Sequence, residues 1–184
     1  SEDGLAINVP IREAAEWPDG EPVTPEDFVF TYEMIVAPEN TIQSTWPYDE
    51  YVESITAEEN TLVINFTEPF APWAATMFTF VMPEHVLEPV FEEEGTIDNA
   101  DWNRNPTVVN GPFVLKEWEA ASHLIFEANE NYWRGRPVLD EIHIIVVPDS
   151  ESQMAAIEAN DTDIGIFLSW SDVPTIEELE DWEL

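Results

Sequence analysis

The sequence has 184 residues, 44% of them hydrophobic, which suits one packed domain or two small ones and excludes a disordered acidic tail. Forty Asp and Glu against five Lys and Arg give a formal net charge of -35. That balance argues against nucleic acid as a partner, because a polyanion is bound by positive side chains that release its counterions.

Cysteine is absent, so disulfides, thiolate metal sites and cysteine nucleophiles are excluded. The longest apolar runs, such as Ile142 to Val147, fall far short of the roughly 20 residues that cross a bilayer, so no direct membrane span is expected. No basic, apolar leader precedes Ser1, and the expectation is a mature, intracellular or excised chain. A surface this acidic repels itself at ordinary ionic strength. In molar salt the Debye length falls to about 3 Å and most of that repulsion disappears, so the near-absence of lysine suggests a surface tuned to high salt, with a mesophilic acidic protein as the alternative.

In chain order, Leu5, Ile7, Val9 and Ile11 alternate with less apolar neighbours and predict a half-buried strand. The sequence WPDG at 17–20 is a turn. Thr24, Pro25 and Asp27 read as an N-cap, a proline in the first turn and an acid that suits the helix dipole. That helix should carry Phe28, Tyr32 and Ile35 on one face and stop near Pro38. The segment TIQSTWPY reads as a loop. Strands are expected over 51–57 and 61–66, joined by a polar hairpin turn, then short helices in the aromatic and proline-rich stretch 70–91. From Gly111 the pattern returns to strands at 113–118, 123–127 and 142–147. Asp149 can cap a helix bearing Met154 and Ile157, DIGIF at 163–167 reads as a short buried strand, and 173–182 as a final acidic helix. The fold class is therefore α+β, or mixed α/β, without internal repeats.

Several pieces, taken in order, resemble one family, the extracellular solute-binding proteins of peptide and nickel ABC importers known as family 5. They are REAAEWPDGEPVTPEDFVFTYE at 12–33, TLVINFTEPF at 61–70, and MPEHVLE at 82–88. NGPF at 110–113 follows, with Trp118 and the ENYWRGRP stretch at 130–137, and then MAAIEANDTDIGI at 154–166. The resemblance implies a periplasmic-binding-protein-like type II fragment. Residues 1–85 are expected to form a small β-rich domain with the capped helix, and 86–184 part of the large α/β lobe. A leading anchor segment and a second lobe are expected to lie outside this chain. The implied function is capture of a peptide or other small solute by lobe closure and delivery to the membrane permease of an ABC transporter. The implied location is extracellular, cell-surface or periplasmic, with attachment to the membrane through the missing N-terminal segment. No catalytic residue, cofactor or metal is implied.

By the same resemblance the loop after the capped helix reaches the cleft. Trp46 or Tyr48 can stack there on a solute while Gln43 or Ser44 hydrogen-bonds its backbone, although a loop aromatic can equally fold back on its own domain. Asn110 and Gly111 complete the candidate set. Gly111 should supply backbone freedom at a bend, with Pro112 holding Asn110 extended. Tyr132 and Trp133 should cap the core, and Arg134 and Arg136 should pair with carboxylates. His85, His123 and His143 are too scattered for a metal motif, and DTD at 161–163 lacks the glycine and terminal glutamate of a calcium loop.

Two other readings stay open on residues alone. An acidic hydrolase could use an Asp/Glu pair, but forty acids produce close pairs by chance, and neither G-x-S-x-G nor a phosphate-cradling glycine loop is present. A ligand-free cell-surface module would show no groove common to Trp46 and Asn110. The solute itself, whether peptide, nickel complex or sugar, is not written in the sequence.

Overall fold

The computed structural model describes residue 1 and residues 3–183. Strand β1 (Ala6–Pro10) pairs antiparallel with β3 (Thr61–Phe66), placing Ile7 opposite Ile64 and Val9 opposite Leu62. Strand β2 (Val52–Glu58) pairs with the other edge of β3, so the sheet order is β1-β3-β2. The two-residue turn between β2 and β3 has Glu59 at φ 52°, and Asn60 Nδ2 ties it to the Ile11 carbonyl at 2.8 Å. Every second residue of β3 is buried, Leu62, Ile64 and Phe66, because alternate side chains leave opposite faces of a strand.

Helix α1 (Pro25–Val36) covers that buried face. It starts where Thr24 is extended and Pro25 presets the helical φ, and it ends before Pro38, which restricts Ala37 to extended geometry. Its buried stripe is Asp27, Phe30, Thr31, Met34 and Ile35. The expected stripe through Phe28 and Tyr32 is therefore off by part of a turn: both residues are half-buried at the rim of the core. Hydrogen bonds that draw Asp27 and Thr31 inward set this rotation, and hydropathy cannot reveal them. Burying each of Phe30, Leu62, Ile64 and Phe66 contributes about 1.5–3 kcal/mol.

Helix α2 (Tyr48–Tyr51) and helix α3 (Trp73–Thr76) are single turns, and α4 (Glu84–Glu94) is longer than the prolines suggested. Pro89 sits inside α4, where it removes one backbone bond to position 85, while Leu87, fully buried, anchors the helix to the core. Gly95 closes α4 in the left-handed conformation, φ 71°, with its N–H on the Phe91 carbonyl. The same core continues through Ile97 and Ala100.

A second sheet has the order β4 (Phe113–Glu119), β5 (His123–Ala128), β6 (Glu141–Ile145). The chain divides into two units, Ser1–Trp118 with Ile125–Ile142, and Glu119–Leu124 with His143–Leu184. The second unit holds helix α5 (Ser150–Glu158), whose first turn is capped by Asp149 accepting the Ser152 N–H at 2.8 Å. Among the described residues of this unit, Ile157 and Ile176 are buried.

Two expectations in this unit fail. DIGIF forms no strand, and Ile164 and Phe167 are 76% and 97% exposed. Instead, Gln153 Nε2 donates to the Ile166 carbonyl, and Gly165 lies so close to Ile157 that an added Cβ would meet its Cδ1 at 3.0 Å. The expected helix over 173–182 shrinks to α6 (Val173–Ile176) followed by turns. Glu177, Glu178, Glu180 and Asp181 repel one another at helical spacing, and the chain supplies no base in the last turn of α6.

Candidate functional site

The candidate residues fall in two places within the first unit. The loop 43–48 is fastened at its base by Asn40, whose Nδ2 donates to the Met34 carbonyl and whose Oδ1 accepts the Ile97 N–H at 2.9 Å. Thr41 then binds Asp98 twice, through its N–H at 2.8 Å and its hydroxyl at 2.6 Å. The Asp98 carboxyl titrates below the ordinary range because the Thr41 hydroxyl, then the Thr41 N–H, favour its charged form. Ser44 Oγ accepts the Trp46 N–H at 3.2 Å, and the Trp46–Pro47 peptide is cis.

This fastening presents Trp46 at 48% exposure, with its ring meeting Phe70 edge-on at 6.0 Å. Phe70 is itself stacked on Tyr51 at 4.3 Å. Gln43 and Ser44 are exposed beside it. Tyr48 lies elsewhere: it is only 5% exposed, its ring packs on Tyr32 and Phe78, and its hydroxyl accepts the Phe78 N–H at 2.7 Å. Burial pushes its phenol up, partly offset by that hydrogen bond.

Asn110 and Gly111 form the second place. The Gly111 carbonyl accepts Asn129 Nδ2 at 2.9 Å, the Pro112 carbonyl accepts the Asn129 N–H, and Asn129 Oδ1 accepts the Asn131 N–H at 3.0 Å. Asn129, buried, thus locks NGPF onto the NENYW turn. Gly111 does not use glycine's left-handed freedom: its φ is not positive, and an added Cβ would meet only the Phe113 carbonyl at 3.8 Å. The bend is made by the hydrogen bonds rather than by φ.

Asn110 lines a pocket of about 180 Å³ together with Arg12, Glu16, Phe28, Trp133 and an apolar wall that includes Val23. Gln43, Ser44, Trp46 and Tyr48 are not in its lining. Tyr48, rather than Trp46, is linked to this pocket by edge-on rings, Tyr48 to Phe78 at 5.6 Å and Phe78 to the pocket residue Phe28 at 5.2 Å. Arg12 and Trp133 were not among the expected site residues, although the scarcity of cations in so acidic a chain could have singled out Arg12. Arg136 pairs as expected, with Glu130 at 2.7 Å and Asp140 at 2.5 Å. Arg134 instead lies over the Trp133 ring at 4.4 Å. Trp133 offers the guanidinium a polarisable face, which suits its weak hydration. Among the described residues no helix is long and apolar enough to cross a membrane.

Comparison with known proteins places this arrangement. Oligopeptide-binding protein AppA of Bacillus subtilis is 29% identical over 160 residues, covering 86% of this chain and 29% of that protein. The structure of the same protein in complex with a nonapeptide superposes with a TM-score of 0.76 at 27% identity, over 96% of this chain and 35% of that one. NikZ of Campylobacter jejuni, solved with Ni(L-His), gives a TM-score of 0.85 at 20% identity, over 98% of this chain and 35% of that one, and shows the shared fold. The fold is that of the type II periplasmic-binding proteins, and the chain spans about a third of the length of these relatives. The description "Bacterial extracellular solute-binding proteins, family 5 Middle" matches residues 1–182. With five sequence pieces in family order and this fold beneath them, the chain belongs to the bacterial extracellular solute-binding proteins of family 5.

Proposed function

We propose that this chain forms one wall of the solute cleft in the substrate-binding component of an ABC importer, which captures peptide-like solutes and delivers them to a membrane permease. The observation that carries the reading is the fastened loop 43–48, which holds a half-exposed tryptophan in the same loop as the exposed side chains of Gln43 and Ser44. A rigid aromatic face flanked by donors and acceptors suits an extended peptide, whose side chains stack while its backbone bonds. Similarity to an oligopeptide-binding protein supports peptides over nickel complexes or sugars.

In this reading the solute is enclosed between this wall and a further lobe. Only the closed form contacts it from both sides, so binding shifts the open–closed equilibrium toward closure. No covalent step takes part. Trp46, Gln43 and Ser44 face the solute, Phe70 supports the Trp46 ring edge-on, Tyr48 is a core residue beneath the loop rather than a solute contact, and Asn110 with Gly111 holds the crossing between the parts of the wall. Residues 1–85 make the small β-rich domain, with α4 packed under it, and 86–184 belong to the large lobe. The complete receptor works outside the cell, attached to the membrane by an N-terminal segment, and its acidity suits it to high salt.

Calorimetric titration of the complete receptor polypeptide in molar KCl against peptides of graded length tests the proposal. Saturable binding of at least one peptide class is expected. Binding confined to nickel complexes or sugars, or absence of binding, would contradict it.

A further inference from the structure

The five basic residues of this chain are not used alike; Arg104, at the end of the 3-10 turn 101–103, has no carboxylate partner among the described residues and does not line the pocket beside Arg12. Lys116 is bound to Glu141, and Arg136 to Glu130 and Asp140. Arg12 and Arg134 have no carboxylate partner among the described residues, although forty acids are available, and both lie against one indole, Trp133, at 4.6 and 4.4 Å from the ring centroid. Their charges are therefore no further apart than about 9 Å. Two guanidinium groups at that spacing repel each other and raise the local potential, and the ring they share attracts each without neutralising either. An anion is the missing member of such a group.

The pocket next to Arg12 gives an anion a place to bind. It is lined by Arg12, Asn110, Trp133 and Glu16, with Ile11, Val23 and Phe28 among its apolar walls. Its volume of about 180 Å³ is below the roughly 300 Å³ at which drug-sized ligands begin to fit. The Asn110 side chain, half-buried, has no hydrogen-bond partner among the described residues and can donate into the space. A planar guanidinium meets a carboxylate through two parallel N–H bonds, which a round halide cannot match.

We infer that the pocket formed by Arg12, Asn110 and Trp133 takes a small free carboxylic acid, its carboxylate on Arg12 and Asn110 and its short branched apolar tail against Val23 and Phe28. This site lies apart from the loop 43–48 and stands whether or not peptides bind there. Its occupant supplies the bonded carboxylate partner that Arg12 lacks, since Glu16 of the same lining makes no ion pair with it, and fixes the Arg12–Trp133 contact.

The test is a titration of the full chain in fixed molar KCl with sodium isovalerate, followed by the indole N–H resonances, with Trp133 assigned by Trp133→Phe. Isovaleramide, the same shape without charge, is titrated alongside. The expected result is a saturable shift of the Trp133 resonance by isovalerate and affinity for the amide at least about tenfold weaker. Arg12→Gln lowers isovalerate affinity by the same factor, Asn110→Ala lowers it several-fold, and Lys116→Gln leaves it unchanged. If Arg12→Gln disturbs the fold, Arg12→Lys serves: it keeps the charge, loses the planar fork and should bind more weakly than the native chain. Equal affinity for acid and amide, indifference to both Arg12 and Asn110 substitutions, or no saturable shift would each overturn the inference.

Discussion

Asp27 and Glu84 are 57 residues apart in sequence, yet Asp27 Oδ1 accepts the Glu84 N–H at 3.0 Å. The other carboxylate oxygen accepts the Thr24 N–H at 2.8 Å and the Trp17 indole N–H at 3.3 Å. One acid, 3% exposed, thereby joins the turn at 17–20, the start of α1 and the start of α4. Two of the family sequence pieces, 12–33 and 82–88, meet at this residue, and the loop 43–48 hangs from the far end of the helix it fixes.

Replacing that acid should loosen all three segments. Asp27→Asn preserves volume but turns one acceptor into a donor facing N–H groups, an expected loss of about 1–3 kcal/mol. Asp27→Ala leaves three donors without their acceptor and should cost about 3 kcal/mol or more, since hydrogen bonds to a charged group are stronger than neutral ones. Urea unfolding of both variants checks the order.

Thr31 makes a parallel prediction. It is fully buried, its hydroxyl donates to the Asp27 carbonyl at 2.7 Å and accepts the Met82 N–H at 2.8 Å. Thr31→Val keeps the shape and strands the Met82 N–H, an expected loss of about 1–3 kcal/mol, whereas Thr31→Ser keeps both bonds and loses only a methyl group. If valine proved as stable as threonine, the bond to Met82 would contribute nothing.

Acidity should act with opposite signs at two carboxyls. Burial, followed by Glu88, Asp27, Glu26 and Glu33, pushes the Glu84 carboxyl up. Its charged form therefore destabilises the fold above the folded pKa, and the penalty fades as pH falls through that pKa and is gone below the unfolded value near 4.3. Glu84→Gln should accordingly stabilise at neutral pH, with about 0.2–0.5 kcal/mol from relief of the Glu84–Glu88 repulsion alone, and show no gain near pH 3. Asp19 behaves conversely: partial burial raises its carboxyl, but the His85 hydrogen bond and the Glu21 N–H outweigh it, so it titrates below the ordinary range. The stability it contributes is present above the unfolded value near 3.9 and lost as pH falls through the lower folded pKa. Asp19→Asn should destabilise at neutral pH and become neutral in acid. Thermal unfolding across pH 3–7 separates the two slopes.

Salt gives a prediction for the whole chain. With a formal charge of -35, the melting temperature should rise as KCl goes from dilute to molar, because screening removes self-repulsion that the folded state concentrates. An unchanged midpoint would remove the support for a high-salt protein.

Local chemistry made much of this fold readable. Thr24, Pro25 and Pro38 mark the limits of α1, alternation marks β1 and β3, and Asp149 marks the start of α5, since each signal acts within a few residues of what it controls. What escaped depends on distant partners. Asp27 turns α1 by bonding Glu84, Ile157 receives Gly165 where alternation suggested a strand, and Arg134 chooses Trp133 over a carboxylate. At the candidate site, Trp46 and Asn110 were visible as residue types in loops. The burial of Tyr48 and the convergence of Arg12 on Trp133 arise from chain crossings that no spacing encodes.

The wall of the solute cleft is the central claim, and Trp46 is its most exposed anchor. The direct measurement is peptide affinity of the complete receptor by calorimetry in molar KCl, native against Trp46→Ala, with circular dichroism showing the fold retained. A loss of at least about tenfold, the equivalent of about 1.4 kcal/mol, is predicted for removal of a stacking ring. Peptide affinity equal in the two proteins would contradict the account.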